Sequence, residues 1–345
     1  MKRTTKSLIT GVAAGLALAA SATVASAGMD YTGKTLKIVI PYGPGGTYDK
    51  YGVAFSNNLG KHIPGNPNII LQHMPGAGGA KAMNWFYNVA PKDGLTLIVP
   101  LDNTVLNQLM RPKKMRYQAE KFTWIGSSNQ TNVVMVVRSD SGVKKLADLK
   151  TKKIIGSTSG KNSSGYLTPM FIAGTLGLNI KMVTGYKGSS KSIFAMEQGE
   201  SQMAAFNWLA WASKVPHWFK GDKPYARAIA QIGFFKDPDL SSDVPLVNDL
   251  LKNDMDKKAA GMLAVAGLLG RGLALPPGVD KSTVKVLRAA YDKMNADSDF
   301  AAGLKKRKLR LMPTSGAKIQ GIVNDAIKSA SPEVVAHARK IIFGK

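Results

Sequence analysis

The sequence predicts an α/β protein in which two lobes share one cleft. Two observations carry that reading. Short apolar runs alternate with amphipathic segments along the whole chain, without an internal repeat, low-complexity tract or long linker, which is the pattern of strands interleaved with helices in a largely parallel sheet. A glycine- or serine-rich turn also recurs between an apolar run and a helix start, in two well-separated parts of the chain.

In chain order, Lys2, Arg3 and Lys6 precede an apolar stretch from Leu8 to Ala20, and Ala25-Ser26-Ala27 closes it. This is the form of an export signal cleaved before Gly28, and it is short of the ~20 strongly apolar residues of a membrane span. A strand over Leu36–Ile40 then leads through Pro41-Tyr42-Gly43-Pro44-Gly45-Gly46 into a helix over Thr47–Leu59. A strand over Ile69–Leu71 leads through Met74-Pro75-Gly76-Ala77-Gly78-Gly79 into a helix over Ala77–Val89. Strands follow at Thr96–Val99 and Val133–Val137. A strand over Lys153–Gly156 runs into Ser157-Thr158-Ser159-Gly160-Lys161-Asn162-Ser163-Ser164-Gly165 and a helix over Ser164–Leu176. Beyond it lie a helix over Ser189–Gln198 and strands at Met203–Phe206, Ala226–Ala230 and Arg271–Leu275. The helix over Lys281–Asn295 is amphipathic, with Val284, Leu287, Tyr291 and Met294 on one face and Asp280 at its N-cap.

Each such turn matters because a helix start carries unpaired N–H groups and the positive end of the helix dipole, an anion site in waiting. Two lobes could present one each to a single ligand, beyond the carboxyl ends of their strands.

Composition narrows the partners. The chain of 345 residues has a net charge of +25, or +22 without the leader, and no cysteine. That excludes disulfides, thiolate metal sites, a cysteine nucleophile and a lipid-modified cysteine tether. The positive balance favours acidic partners. Export argues against nucleic acid, and the densest run, Lys305-Lys306-Arg307-Lys308-Leu309-Arg310, reads as a solvated face. A field that concentrates small anions fits better. The turns lack Walker A and dinucleotide spacing, His62, His73, His217 and His337 are too scattered for a metal site, and no G-x-S-x-G elbow accompanies the serines. Asp49, Asp93 and Asp102 suggest no acid–base pair, and Asp49 reads as a favourable charge at the start of its helix. No cofactor, metal or catalytic constellation is expected.

The stretch Ile40-Pro41-Tyr42-Gly43-Pro44-Gly45-Gly46-Thr47-Tyr48-Asp49 resembles the signature of tripartite tricarboxylate transporter receptors, the Bug/TctC-type periplasmic solute-binding proteins. The resemblance continues in order through Met74–Gly79, Pro91–Leu97, Leu146–Leu149, Gly156-Ser157, Gly185–Gly188, Asp243–Leu246 and Ala274–Val279, and fades over the last thirty residues. It implies a two-lobed type II periplasmic-binding-protein fold with a ligand cleft between lobes. Residues 28–128 with 231–345 would form lobe one and 129–230 lobe two, closing about a two-strand hinge. It implies an organic carboxylate held by backbone N–H groups, hydroxyls and waters, and handed to the permease subunits of a membrane transporter by a monomeric receptor. By that pattern Tyr42, Gly45, Gly46, Thr47, Ala77 and Gly78 line the cleft from lobe one. Ser157, Thr158, Ser159, Ser163, Ser164 and Tyr186 line it from lobe two, with Asn207 and Trp208 beside them. Asn207 stands where many relatives have an aspartate able to pair an ammonium, which disfavours an amino-acid ligand. Tyr166 stands where many have histidine. The rival readings are a periplasmic sensor for a membrane kinase with the same fold, an exported hydrolase using Ser159 or Ser163, and a protein whose basic surface grips anionic envelope polymers.

Overall fold

The computed structural model describes residues 29–344, so the leader and its cleavage site lie outside the described residues. The strands, in chain order, are β1 (Thr35–Ile40), β2 (Asn68–His73), β3 (Thr96–Ile98), β4 (Thr123–Ser127), β5 (Val133–Arg138), β6 (Ile154–Thr158), β7 (Ile180–Thr184), β8 (Met203–Asn207), β9 (Ala226–Ile232), β10 (Gly272–Leu275) and β11 (Thr314–Ser315). They form two sheets, β11-β4-β10-β3-β1-β2 and β7-β6-β8-β5-β9. Each expected strand and helix is present within a few residues, and Ser164–Leu176 and Lys281–Asn295 match end to end. At the last of these, Asp280 accepts from the N–H groups of Ser282 and Thr283, closing the cap that its position predicts.

The sheets are mixed, where a largely parallel arrangement was expected. β1 is parallel to β2 and β3, and β6 to β7 and β8, but β10 runs antiparallel to β3 and β4, and β5 antiparallel to β8 and β9. The reversal comes from chain crossing between lobes. Strands built from local β-turn-helix units run parallel, as do β4 and β9 where the chain leaves each sheet, while β5 and β10, which bring it into a sheet, run the opposite way.

Each sheet has its own apolar core. The first gathers Leu36, Ile38, Phe55, Phe86, Trp124 and Tyr291; the second gathers Met135, Leu167, Phe171 and Met203. The second also takes in Leu106 and Met110, Val247, Leu251, Ala259 and Leu263, and Val335, Ala338 and Ile342 of the C-terminal helix. We therefore propose that the second lobe extends beyond 129–230 to take in 247–269 and the helix Pro332–Phe343, with the sheet of the first lobe rejoined at Gly272. A third cluster, Trp208, Trp211 and Trp218 with Val134, Ile193 and Ala204, lies on the other face of the second sheet. In the basic run, Lys305 to Lys308 are exposed, as expected of a solvated face. Arg310 differs: it pairs with the buried Asp237 at 2.6 Å and with Asp239 at 2.5 Å, tying the C-terminal segment to the connection after β9.

Candidate functional site

The lobes lie against each other around a narrow cavity of about 40 Å³ lined by Tyr42, Gly46, Thr47, Tyr48, Asp102 and Arg271 on one side and Ser159, Ser163, Ser164, Gly165, Gly188, Ser189, Phe206 and Asn207 on the other. Three helices begin on this wall: Thr47–Asn58, Ser164–Leu176 and Ser189–Glu197. None has a side-chain cap on its first N–H groups. Those groups are the unfilled donors of each helix, and the dipoles add positive potential where they converge.

Arg271 and Asp102 are the charged members. Arg271 Nη1 donates to Asp102 Oδ2 at 2.9 Å and to the Gly270 carbonyl at 3.0 Å, and the guanidinium lies 3.7 Å from the Tyr48 ring centroid. Both residues are buried. Burial alone would pull the guanidinium down, but Tyr48 and Asp102 outweigh it and hold Arg271 above the ordinary arginine range. A buried pair of this kind contributes little net stability but costs about 3–5 kcal/mol if one partner is removed, so its value is positional. Burial also raises the phenols of Tyr42 and Tyr48 above the usual tyrosine range, keeping both neutral, and the Tyr48 hydroxyl accepts from the Asp102 N–H at 3.0 Å. Tyr42 donates to the Gly78 carbonyl at 3.0 Å, and its ring packs 4.8 Å from that of Tyr48.

Hydrogen bonds cross between lobes all around the cavity. Ser164 Oγ donates to Asp102 Oδ1 at 2.8 Å. Gly43 N–H donates to the Lys187 carbonyl at 2.9 Å, and Lys50 Nζ reaches the carbonyl and hydroxyl of Ser213, each at 2.9 Å. Burial and the neighbouring Lys214 pull Lys50 below the usual lysine range. Asn162 is the densest junction. Its carbonyl accepts from Asn103 and Asn107 at 2.8 Å each, its Nδ2 donates to the Ala77 carbonyl at 2.8 Å, and its Oδ1 accepts from Arg111 at 2.5 Å. The chains approach so closely here that a Cβ on Gly78, at φ +66°, would sit 2.9 Å from the Ser163 nitrogen.

Of the residues expected at the cleft, Tyr42, Gly46, Thr47, Ser159, Ser163, Ser164 and Asn207 line this cavity. Ala77, Gly78 and Tyr186 line an adjoining pocket that shares Tyr42 and Ser159 with it, and the Tyr186 hydroxyl turns away to donate to Glu200 at 2.9 Å. Four expected residues stand elsewhere. The Gly45 N–H is consumed by Asp49 Oδ2 at 2.7 Å. Ser157 and Thr158 are fully buried. Ser157 donates to the Ser192 carbonyl, and Thr158 shares a hydrogen bond with Ser163 at 2.8 Å, so both hold the loop together from behind. Trp208 packs at 5.0 Å on Phe219 inside the tryptophan cluster. Asn207 caps its helix through Ala210 N–H at 3.1 Å, which turns the next side chain inward.

Sequence reasoning missed Asp102, Gly165, Gly188, Ser189, Phe206 and Arg271 as wall residues. Asp102 follows β3 as Thr47 follows β1, so a carboxyl-end rule could have found it. Arg271 precedes β10, and only the antiparallel pairing of β10 with β3 brings that end to the cavity.

The architecture and the cleft between lobes are those of a two-lobed periplasmic binding protein. The chain belongs to the family described as the tripartite tricarboxylate transporter family receptor, whose pattern it matches over residues 55–334. It is 23% identical over 304 residues to a UPF0065 protein in the tcbD-tcbE intergenic region of Pseudomonas sp. strain P51, covering 86% of this chain and 84% of that one. Its fold is similar to that of the periplasmic binding protein BugD, with a TM-score of 0.70 at 15% identity over 89% of this chain and 97% of that one. It is similar too to MatC from Rhodopseudomonas palustris with bound malate, with a TM-score of 0.68 at 19% identity over 89% and 98%.

Proposed function

We propose that this protein is a periplasmic receptor that captures an organic carboxylate between its lobes and delivers it to the membrane subunits of a tripartite tricarboxylate-type transporter. It acts as a monomer and without chemistry on its ligand. The observation that carries this reading is the convergence of three uncapped helix starts on a cavity that also holds a buried arginine. Charge-assisted hydrogen bonds to an anion are roughly twice as strong as neutral ones, and they use the donors gathered there. Family membership and the malate held by MatC point the same way. Of the hydrolase alternative, Ser159 and Ser163 line the cavity, but no histidine does so.

Capture works by closure. A ligand entering the open cleft meets the first lobe, where Arg271 is already braced by Asp102 and Tyr48. The second lobe then swings in, bringing Ser164 onto Asp102 and Asn162 onto Ala77. A thermal-shift screen of the exported form, freed of carried-over ligand, tests the reading. A carboxylate at 100 times its dissociation constant adds about 2.7 kcal/mol of stability, a readily measured rise in Tm. No shift with any mono-, di- or tricarboxylate or aromatic acid would refute it.

A further inference from the structure

Arg271 is held in a way that leaves its most useful edge empty. Nη1 is taken by Asp102 and the Gly270 carbonyl. Nη2 reaches Thr47 Oγ1 only at 3.4 Å, and Nε has no partner although the residue is 3% exposed. Nε–H and the Nη2–H beside it form the side-on fork of a guanidinium, the edge that meets a carboxylate through two parallel hydrogen bonds. Most arginines with a carboxylate neighbour spend that fork on it. Here Asp102 holds the opposite corner, and the Tyr48 ring fixes the plane.

The second lobe carries a matching orphan. Asn207 is 4% exposed, and its Oδ1 is fixed by the Ala210 N–H, so its amide can stand only one way round. Nδ2 is then a donor on the cavity wall without a partner. Buried donors in native proteins are almost always paired, so two orphans on opposite walls of one cavity call for a ligand that supplies both acceptors. The field agrees. Asp102 cancels the charge of Arg271 and Asp49 offsets the start of the Thr47 helix, and the two second-lobe helix starts at Ser164 and Ser189, of about half a positive charge each, remain.

Resting on the carboxylate-receptor reading, we infer that Arg271 is a side-on carboxylate dock which, with Asn207 across the cavity, selects a short dicarboxylate over a monocarboxylate. One carboxylate accepts from Nε and Nη2 of Arg271. The other accepts from Asn207 Nδ2 and the helix starts at Ser164 and Ser189.

Calorimetric titration with succinate, glutarate and butyrate tests it, on the wild type, on the double variant Arg271→Gln with Asp102→Asn, and on Asn207→Asp. The double variant removes both charges of the pair together. The wild type is expected to bind a dicarboxylate at least 100-fold more tightly than butyrate. In the double variant that ratio falls to within a few-fold of one, and Asn207→Asp, which sets a carboxylate against a carboxylate, weakens dicarboxylate binding at least tenfold. If the double variant does not fold by circular dichroism, Asn207→Asp decides alone. Butyrate bound as tightly as the dicarboxylates by the wild type would overturn this inference and leave the carboxylate receptor standing. An unchanged ratio in the double variant, or undiminished dicarboxylate binding in Asn207→Asp, would overturn it as well. No binding of any carboxylate would remove both.

Discussion

On the first-lobe side of the cavity the polar groups are large, charged and braced: Arg271 between Asp102 and the Tyr48 ring, Tyr42 tied to the Gly78 carbonyl. On the second-lobe side they are small and sit at helix starts: Ser159, Ser163, Ser164, Ser189 and Asn207. The first wall is assembled from strand ends, that of β10 among them, all anchored in one apolar core. The second wall finds partners across the lobe contact: its Ser164 donates to Asp102 and its Asn162 to the Ala77 carbonyl. We propose that one wall recognises and the other latches. That division makes affinity depend on contacts that never touch the ligand.

The largest effect should come from keeping the walls apart. Gly78→Val places a branched side chain where even a Cβ lies 2.9 Å from the Ser163 nitrogen and 3.1 Å from the Asn162 carbonyl carbon, on a backbone at φ +66°. Overpacking and left-handed strain together should cost the closed state roughly 3 kcal/mol or more, a loss of affinity of the order of 100-fold. Small-angle scattering should show no compaction on adding ligand. Compaction equal to the wild type would mean that the second wall does not need this close approach.

Asn162→Ala removes less. Two side-chain hydrogen bonds are lost, to Ala77 and from Arg111, while the backbone carbonyl still accepts from Asn103 and Asn107. At about 0.5–1.5 kcal/mol net for each bond, closure should weaken by roughly 1–3 kcal/mol. The loss should appear as faster release with nearly unchanged capture, because a latch acts after encounter. Slower capture with unchanged release, read by stopped-flow fluorescence, would place Asn162 on the recognising wall instead.

The same contrast explains how much of the site could be read in advance. The second wall is local: a strand, a serine-rich turn and a helix start occupy consecutive positions, so Ser159, Ser163 and Ser164 were legible. Thr47 and Gly46 were legible for the same reason. Arg271 and Asp102 were not, since they are 169 residues apart and meet only because β10 returns antiparallel beside β3. Ser157 and Thr158 look like their neighbours in sequence, but the alternation of a strand turns one toward Ser192 and the other toward Ser163, leaving neither for the cavity. Trp208 shows the limit for aromatics. Only the direction in which the helix leaves its Asn207 cap decides between wall and core.

The smallest effect concerns whether the first wall draws its rigidity from its lobe. Asp297, at the start of the helix Ser298–Lys306, accepts from Lys61 at 2.7 Å, and that bond, with the Asp299 N–H, lowers its carboxyl from 3.8 to about 2. A carboxylate lowered in the folded state adds stability above its unfolded value, and that stability is lost as pH falls from about 4 toward 2. The gap in Tm between wild type and Asp297→Asn should therefore be widest near neutral pH and close by about pH 2. The indoles divide the readout. Trp85 and Trp124 report the first core, while Trp208, Trp211 and Trp218 report the cluster on the second sheet. Acid should loosen the signal of Trp85 and Trp124 before the others if the first core depends on this bond. A gap in Tm that does not change with pH would show that Asp297 contributes nothing through its charge.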